Sequence, residues 1–309
     1  MKCFITGIEG FAGHHLANHL LAQGCEVSGS FFDGSRTSGL PSSCALHELD
    51  LQDFETMSLA VAKIRPDHIY HLAAQSSDAL SFRNPKKTFD INIGGLVNLL
   101  ESVRVAGIRP RIVMVSSCEV YGPVAQDAPI KEAQGYNPIS PYAASKVAQE
   151  VIGLQYHRSF GLDVLIARPF PHVGPGQAPV FALPGFAKQI AEIARGEKPP
   201  VIKVGNLQSR RDLSDVRDVV EAYLLLARKG TAGEAYNICS GSVFSIEQAL
   251  NKMLAFSGKN IKIEVDPARF RPSDVPILWG DNGKIRSATG WTPRRSIEDA
   301  LKELLDSWM

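Results

Sequence analysis

No apolar run in the sequence approaches the ~20 residues that a membrane-spanning helix needs, so a spanning role is not expected. The 33 basic and 32 acidic residues leave a formal charge of +1, which offers no footing for nucleic acid or an acidic partner surface. Cysteine is sparse: Cys3, Cys25, Cys44, Cys118 and Cys239 are odd in number, scattered and without metal-site spacing. They read as free thiols in a reducing compartment, and no metal is expected. No basic segment followed by an apolar one precedes Cys3-Phe4-Ile5-Thr6, so no secretory signal is evident and the cytoplasm is the expected location. Internal repeats and low-complexity tracts are absent. What remains is an ordinary soluble composition, 44% apolar and 21% charged, over 309 residues that can bury a sizeable core.

The pattern along the first half alternates. Strands are expected at Lys2–Thr6, Cys25–Phe31, Ala45–Leu49, Asp67–Leu72, Arg111–Ser116 and Leu162–Ala167. Helices are expected at Phe11–Gln23, Phe54–Ile64 and, as one long element, Pro85–Ala106. Strands alternating with helices argue an α/β fold with a doubly wound parallel sheet. After Arg168-Pro169 the composition shifts: Pro171, Pro175, Pro179, Pro184, Pro199 and Pro200 break the pattern and mark a smaller mixed α/β lobe. The reading is a dinucleotide-binding domain over 1–169, rejoined by about 212–240. The second lobe takes 170–211 and 241–309, with helices at Ile246–Phe256, Asn282–Thr289 and Ile297–Trp308.

Two stretches carry chemistry. Thr6-Gly7-Ile8-Glu9-Gly10-Phe11-Ala12-Gly13 has the spacing G-x-x-G-x-x-G between a strand and a helix, the context of a Rossmann-type dinucleotide fingerprint. Gly7 allows the tight turn, Gly10 lets backbone approach the pyrophosphate, and Gly13 lets the helix pack on the sheet, with the helix N-terminus facing the phosphates. Tyr142-Ala143-Ala144-Ser145-Lys146 puts a phenol and an ammonium one helical turn apart, and Lys146 can lower the pKa of Tyr142 toward neutrality. At the end of the second strand an acid would bind the ribose 2′-hydroxyl of NAD. Ser30-Phe31-Phe32 stands there instead, with Asp33 two residues late. The expectation is NADP(H), with NAD(H) possible; Arg36 is either the 2′-phosphate partner or a solvated loop charge.

The glycine loop, Asp50-Leu51, His71-Leu72-Ala73-Ala74, Ser116-Ser117 and Tyr142-x-x-x-Lys146, in this order, resemble the extended short-chain dehydrogenase/reductases nearly end to end. These are nucleotide-sugar epimerases, dehydratases and reductases. The resemblance implies that Gly7, Gly10, Phe11 and Gly13 meet the cofactor phosphates, Asp50 and Leu51 meet the adenine, and Leu72, Ala73 and Ala74 line the cofactor. It implies that Lys146 holds the nicotinamide ribose, that Tyr142 donates the proton and that Ser117 braces the reacting oxygen. Glu119 aligns with the dehydratases' base, but Cys118 replaces their acid; Glu119 therefore permits dehydration without proving it.

Arg168-Pro169-Phe170, His172-Val173-Gly174-Pro175-Gly176-Gln177 and Gly205-Asn206-Leu207 with Arg211-Asp212 look like the branch of GDP-mannose dehydratases and GDP-4-keto-6-deoxy-mannose reductases. By that likeness Arg211 and Arg271 hold the substrate diphosphate, while Arg210 stays in doubt. Ser76 faces the sugar, and Lys188 lies near the nucleotide or on a solvated face. Pro171 departs from the family's Asn, offering neither side-chain amide nor backbone N–H. The short Asp33–Ser43 loop, where the dehydratases carry a longer arginine-rich insertion, favours the reductase. The implied activity is NADP(H)-linked reduction of a GDP-linked 4-keto-6-deoxy sugar by a homodimer paired through its long helices. The rivals are a dehydratase using Glu119, an epimerase retaining NAD, and a non-catalytic cofactor-sensing module.

Overall fold

The computed structural model describes residues 1–32, 34, 37–124, 128–270 and 275–309. Arg36 and Arg271 lie outside the described residues.

Strand β1 (Lys2–Thr6) is buried at every residue after Lys2, as befits a parallel strand covered on both faces. It leads through the glycine loop into α1 (Phe11–Ala22) and then to β2 (Glu26–Phe31) and β3 (Ala45–Glu48). Asp53 caps α2 (Phe54–Ile64) by accepting from the Glu55 and Thr56 N–H groups, and β4 (His68–His71) follows. Next come α3 (Asp78–Arg83), α4 (Pro85–Phe89), α5 (Gly95–Val105), β5 (Arg111–Val115), α6 (Pro141–Phe160) and β6 (Asp163–Pro169). Beyond β6 the chain forms β7 (His172–Val173), α7 (Ala182–Ala194), β8 (Val201–Val204), β9 (Arg210–Asp212) and β10 (Ser214–Asp215). It continues through α8 (Val216–Lys229), β11 (Ala235–Ile238), β12 (Val243–Ser245), α9 (Ile246–Ser257), β13 (Lys262–Val265), β14 (Ile277–Leu278), α10 (Gly283–Thr289) and α11 (Ile297–Asp306).

The main sheet has seven strands in the order β3-β2-β1-β4-β5-β6-β11, every pair parallel. This is a Rossmann-type α/β fold. The strand order reverses at β1/β4, so the crevice beyond their C-terminal ends is where such a sheet takes a ligand. Leu16 and Leu20 of α1 pack with Val219 and Tyr223 of α8 on one face. Met57 and Val61 of α2, Leu99 and Val103 of α5 and Tyr156 of α6 form the core on the other. A separate core joins Phe186 and Ile190 of α7 with Leu250 and Met253 of α9 and Leu301 and Leu304 of α11.

Two local expectations need correction. The expected single helix Pro85–Ala106 is α4 and α5 joined by a π-helical turn, Asp90–Gly94, which widens the helix where Gly94 and Gly95 offer no side chain to crowd it. The short α3 ahead of it, capped by Ser77, has no counterpart among the expected helices. Pro184, read as a breaker, instead lies in the first turn of α7, where a missing N–H leaves no helical bond unmade.

Candidate active site

The glycine loop is set by the ends of two strands. Gly7 and Ile8 both donate their N–H to the Ser30 carbonyl of β2, each at 3.0 Å, and Gly7 adopts φ +73°, a left-handed conformation that only glycine reaches cheaply. A Cβ at Gly7 would lie 2.9 Å from Ala73 Cα, so the loop runs tightly beside the segment after β4. A Cβ at Gly13 would lie 2.4 Å from the Gly7 carbonyl oxygen, so a side chain there would push α1 away from the loop that leaves β1. At Gly10 an added Cβ would meet only the Gly7 oxygen, at 3.2 Å, leaving its outer side open as a cradle. These residues fit a dinucleotide pyrophosphate at the N-terminus of α1. A cavity of about 510 Å³ opens beside them, lined by Glu9, Phe11, His14, His15, Pro175 and Gly176 among others. Phe11 stacks on His172 with ring centres 5.9 Å apart.

The segment after β4 is tied back to β1. Thr6 Oγ1 accepts from the Ala73 N–H at 3.3 Å and shares a 2.8 Å hydrogen bond with His71 Nδ1. Burial, then Lys146, hold the His71 imidazole neutral by pushing its pKa down to about 3. Leu72, Ala73 and Ala74 are half-buried along this segment, and Ser76 beyond them is exposed. Leu51 is buried against Gly95, and the Asp50 carboxylate accepts from the Gln52 N–H at 2.9 Å.

Beyond β5 the chain turns through a short 3₁₀ segment, Cys118–Tyr121, capped by Ser117, whose hydroxyl accepts from the Glu119 N–H at 3.2 Å. The Ser117 side chain also acts on Tyr142, in the first turn of α6, opposing the rise of its phenol. Lys146, one turn on, donates to the Val115 carbonyl at 2.8 Å. Burial pushes the Tyr142 phenol well up, and the charge of half-buried Glu119 pushes it further. Lys146 is also buried, which lowers its pKa to about 8. The expected lowering of Tyr142 by Lys146 is therefore not found in the free site, because desolvation and then Glu119 prevail. Cys118 beside them is fully buried, its thiol pushed well up by burial and then by Glu119.

The structure brings Ser117, Glu119, Tyr142 and Lys146 to one point, with the glycine loop and the Leu72–Ala74 segment alongside. Arg211, on β9, donates to the Val275 carbonyl at 2.7 Å, and its charge acts on Cys118, so it belongs to the same region. Lys188 does not join them: it is exposed on α7, with Glu192 3.9 Å away. At Pro171 the carbonyl accepts from the Ser214 N–H at 3.0 Å, tying the residue to β10. Among the described residues no group of three or more His, Cys, Asp or Glu is placed to hold a metal ion.

Sequence reasoning misses two supports. Asn92, in the π turn, accepts from the Gln75 N–H at 2.8 Å and donates to the Ser145 hydroxyl at 2.8 Å, clasping the post-β4 segment to α6. Its signal is the pair Gly94-Gly95 two residues further on, an unusual insertion in a helical run. Arg168 and Glu150 form a buried ion pair at 2.6 Å. Glu150 also accepts from Ser116 at 2.5 Å and Tyr136 at 2.8 Å, and Arg168 donates to Tyr121 at 2.8 Å. In the sequence Arg168 stands out only as part of a family phrase.

Fold and site together define a dinucleotide-dependent oxidoreductase of the extended short-chain dehydrogenase/reductase type. Residues 4–304 match the family description for GDP-mannose 4,6 dehydratases, and the chain belongs to that family. It is 35% identical over 308 residues to a GDP-6-deoxy-D-mannose reductase of Pseudomonas aeruginosa, covering 99% of this chain and 97% of that one. The RMD protein of Pseudomonas aeruginosa, solved with NADPH, superposes with a TM-score of 0.86 at 33% identity, covering 99% of this chain and 98% of that one. The UDP-glucose 4-epimerase of Thermus thermophilus, solved with NAD, superposes with a TM-score of 0.90 at 29% identity, covering 100% of this chain and 99% of that one.

Proposed function

We propose that the chain is an NADP(H)-preferring reductase, able to use NAD(H), that converts GDP-4-keto-6-deoxy-mannose to GDP-6-deoxy-mannose (GDP-rhamnose) or its C4 epimer. The observation that carries this reading is the buried cluster of Ser117, Tyr142 and Lys146 beyond β5, which sets two hydroxyl donors and a cation beside one another. The full-length likeness to a GDP-6-deoxy-D-mannose reductase supports the substrate.

A reduced nicotinamide, when bound, would supply hydride to C4. Negative charge then gathers on the C4 oxygen, which needs donors already aimed at it. Tyr142 gives the proton and Ser117 braces the same oxygen. Lys146, charged below pH about 8, stabilises the phenolate left behind and holds the nicotinamide ribose. Gly7, Gly10, Phe11 and Gly13 receive the pyrophosphate, Asp50 and Leu51 the adenine, and Leu72, Ala73 and Ala74 line the cofactor; Arg36 and Arg271 keep their proposed phosphate roles. Arg211 meets the substrate diphosphate, where a guanidinium is suited to bidentate contact. Ser76 faces the sugar, and Lys188, exposed on α7, reaches the nucleotide by turning from Glu192.

The cofactor domain is residues 1–169 with 212–240, and the sugar-nucleotide lobe is 170–211 with 241–309; the separate α7/α9/α11 core supports this division. Exposed Val105 and Phe160 at the ends of α5 and α6 and Val151 on α6 support a homodimer through these helices. Five buried free cysteines fit a cytoplasmic protein. The test is NADPH absorbance decay with GDP-4-keto-6-deoxy-mannose, with the product sugar identified. Consumption matched by product is expected; none at all would overturn the reading. The second reading, a GDP-mannose 4,6-dehydratase, is favoured by Glu119 beside Tyr142, and proton exchange at the sugar's C5 would reveal it.

A further inference from the structure

The end of β2 offers no carboxylate at Ser30, Phe31 or Phe32, yet an acid stands over it from another element. Glu9, between the first two glycines of the loop, accepts from the Phe32 N–H through Oε1 at 3.0 Å. The loop is fastened to β2 by the two N–H groups on the Ser30 carbonyl, so this side chain cannot drift far from the strand end. The second oxygen, Oε2, is screened from solvent and has no hydrogen-bond partner among the described residues. Glu9 also lines the cavity of about 510 Å³ beside the N-terminus of α1, together with Ser38 from the segment after β2.

We propose that Glu9 is the residue that keeps NAD(H) usable: its carboxylate, reaching the β2 end from the glycine loop, accepts the adenosine 2′-hydroxyl and opposes a 2′-phosphate. In a dinucleotide fold the acid that reads the ribose normally belongs to β2 itself. Here the same chemistry is delivered across the loop: one oxygen is anchored on backbone, and a turn of the carboxylate brings its unpartnered oxygen to the ribose. A carboxylate and a phosphate at hydrogen-bond range repel, while a hydroxyl satisfies an acceptor that is otherwise orphaned. Glu9 thus tempers the preference for NADPH proposed above.

This rests on the cofactor reading above, and the experiment separates the two. Dissociation constants for NADH and NADPH are measured by nicotinamide fluorescence, without sugar, for the unaltered protein, Glu9→Gln and Glu9→Ser. Glu9→Gln keeps an acceptor for the Phe32 N–H and removes only the charge. The expected result is that NADH binds several-fold more weakly and NADPH more tightly, so their ratio moves about tenfold toward NADPH in both variants. A ratio that stays put, or equal weakening of both cofactors, would show Glu9 to be a structural cap and overturn the proposal alone. If the unaltered protein bound neither cofactor, the cofactor reading itself would fall, and this inference with it.

Discussion

Lys146 Nζ lies 5.8 Å from the centre of the Tyr142 ring and spends its hydrogen bond on the Val115 carbonyl 2.8 Å away. The two are neighbours whose coupling is through space. Burial depresses the lysine from its ordinary 10.5 to about 8, so its charge is lost as pH rises through that value. Turnover is expected to fall on the alkaline side with a midpoint near pH 8, and the limb should vanish in Lys146→Arg, where a guanidinium stays charged. The stability effect has the opposite sense. An unfolded chain binds this proton up to about 10.5, so the lysine's destabilising burial is relieved as pH climbs from about 8 to 10.5. A pH–rate profile and a set of thermal melts would check both halves.

Tyr142→Phe removes the proposed proton donor and leaves the ring's packing. The expected loss in turnover is about 10²–10⁴-fold, with nicotinamide cofactor affinity unchanged. Ser117→Ala should lose less, because the Tyr142 donor remains. Single-turnover kinetics with cofactor titration would read both, and normal turnover in Tyr142→Phe would sink the assignment of the acid.

Glu119→Gln separates the two enzyme readings. A reductase does not need the base, and removing the charge relieves one cause of the raised Tyr142 pKa. Reduction should therefore escape the loss of about 10²–10⁴-fold that removing a general acid or base brings. A dehydratase would lose nearly all turnover of GDP-mannose in the same variant.

The Arg168–Glu150 pair is expected to be a stability element that sits directly under the site. Arg168→Met leaves Glu150 buried and uncompensated, at an expected loss of about 3–5 kcal/mol of folding stability. Adding Glu150→Gln should restore part of it. Denaturant unfolding of the two variants would show whether the second substitution rescues the first.

Much of this architecture can be read from the chain. Glycine spacing after an apolar strand locates the loop, and the four-residue step from Tyr142 to Lys146 puts both on one helical face. What stays hidden needs either a broken period or a distant partner. Asn92 takes its place from a π turn, which a 3.6-residue periodicity conceals. Arg168 and Glu150 are 18 residues apart and meet only because α6 folds back along β6. The state of Tyr142 escapes the sequence for a related reason: spacing shows who is adjacent, but not how much water the fold removes or how near Glu119 comes. Glu9 is visible between its glycines, and its reach to Phe32 is not.

The last strand of the main sheet has a consequence for how the protein is made. β6 ends at Pro169 and its partner β11 begins at Ala235. During synthesis, therefore, the glycine loop and the Tyr-Lys helix have left the ribosome while β6 still shows one bare edge, and it does so until the segment carrying α7 and α8 has followed. A bare, apolar strand edge invites pairing with another nascent chain. A polypeptide released before Ala235 would contain nearly every residue assigned here to the cofactor, yet it would be a sticky fragment, a natural target for chaperones and proteases.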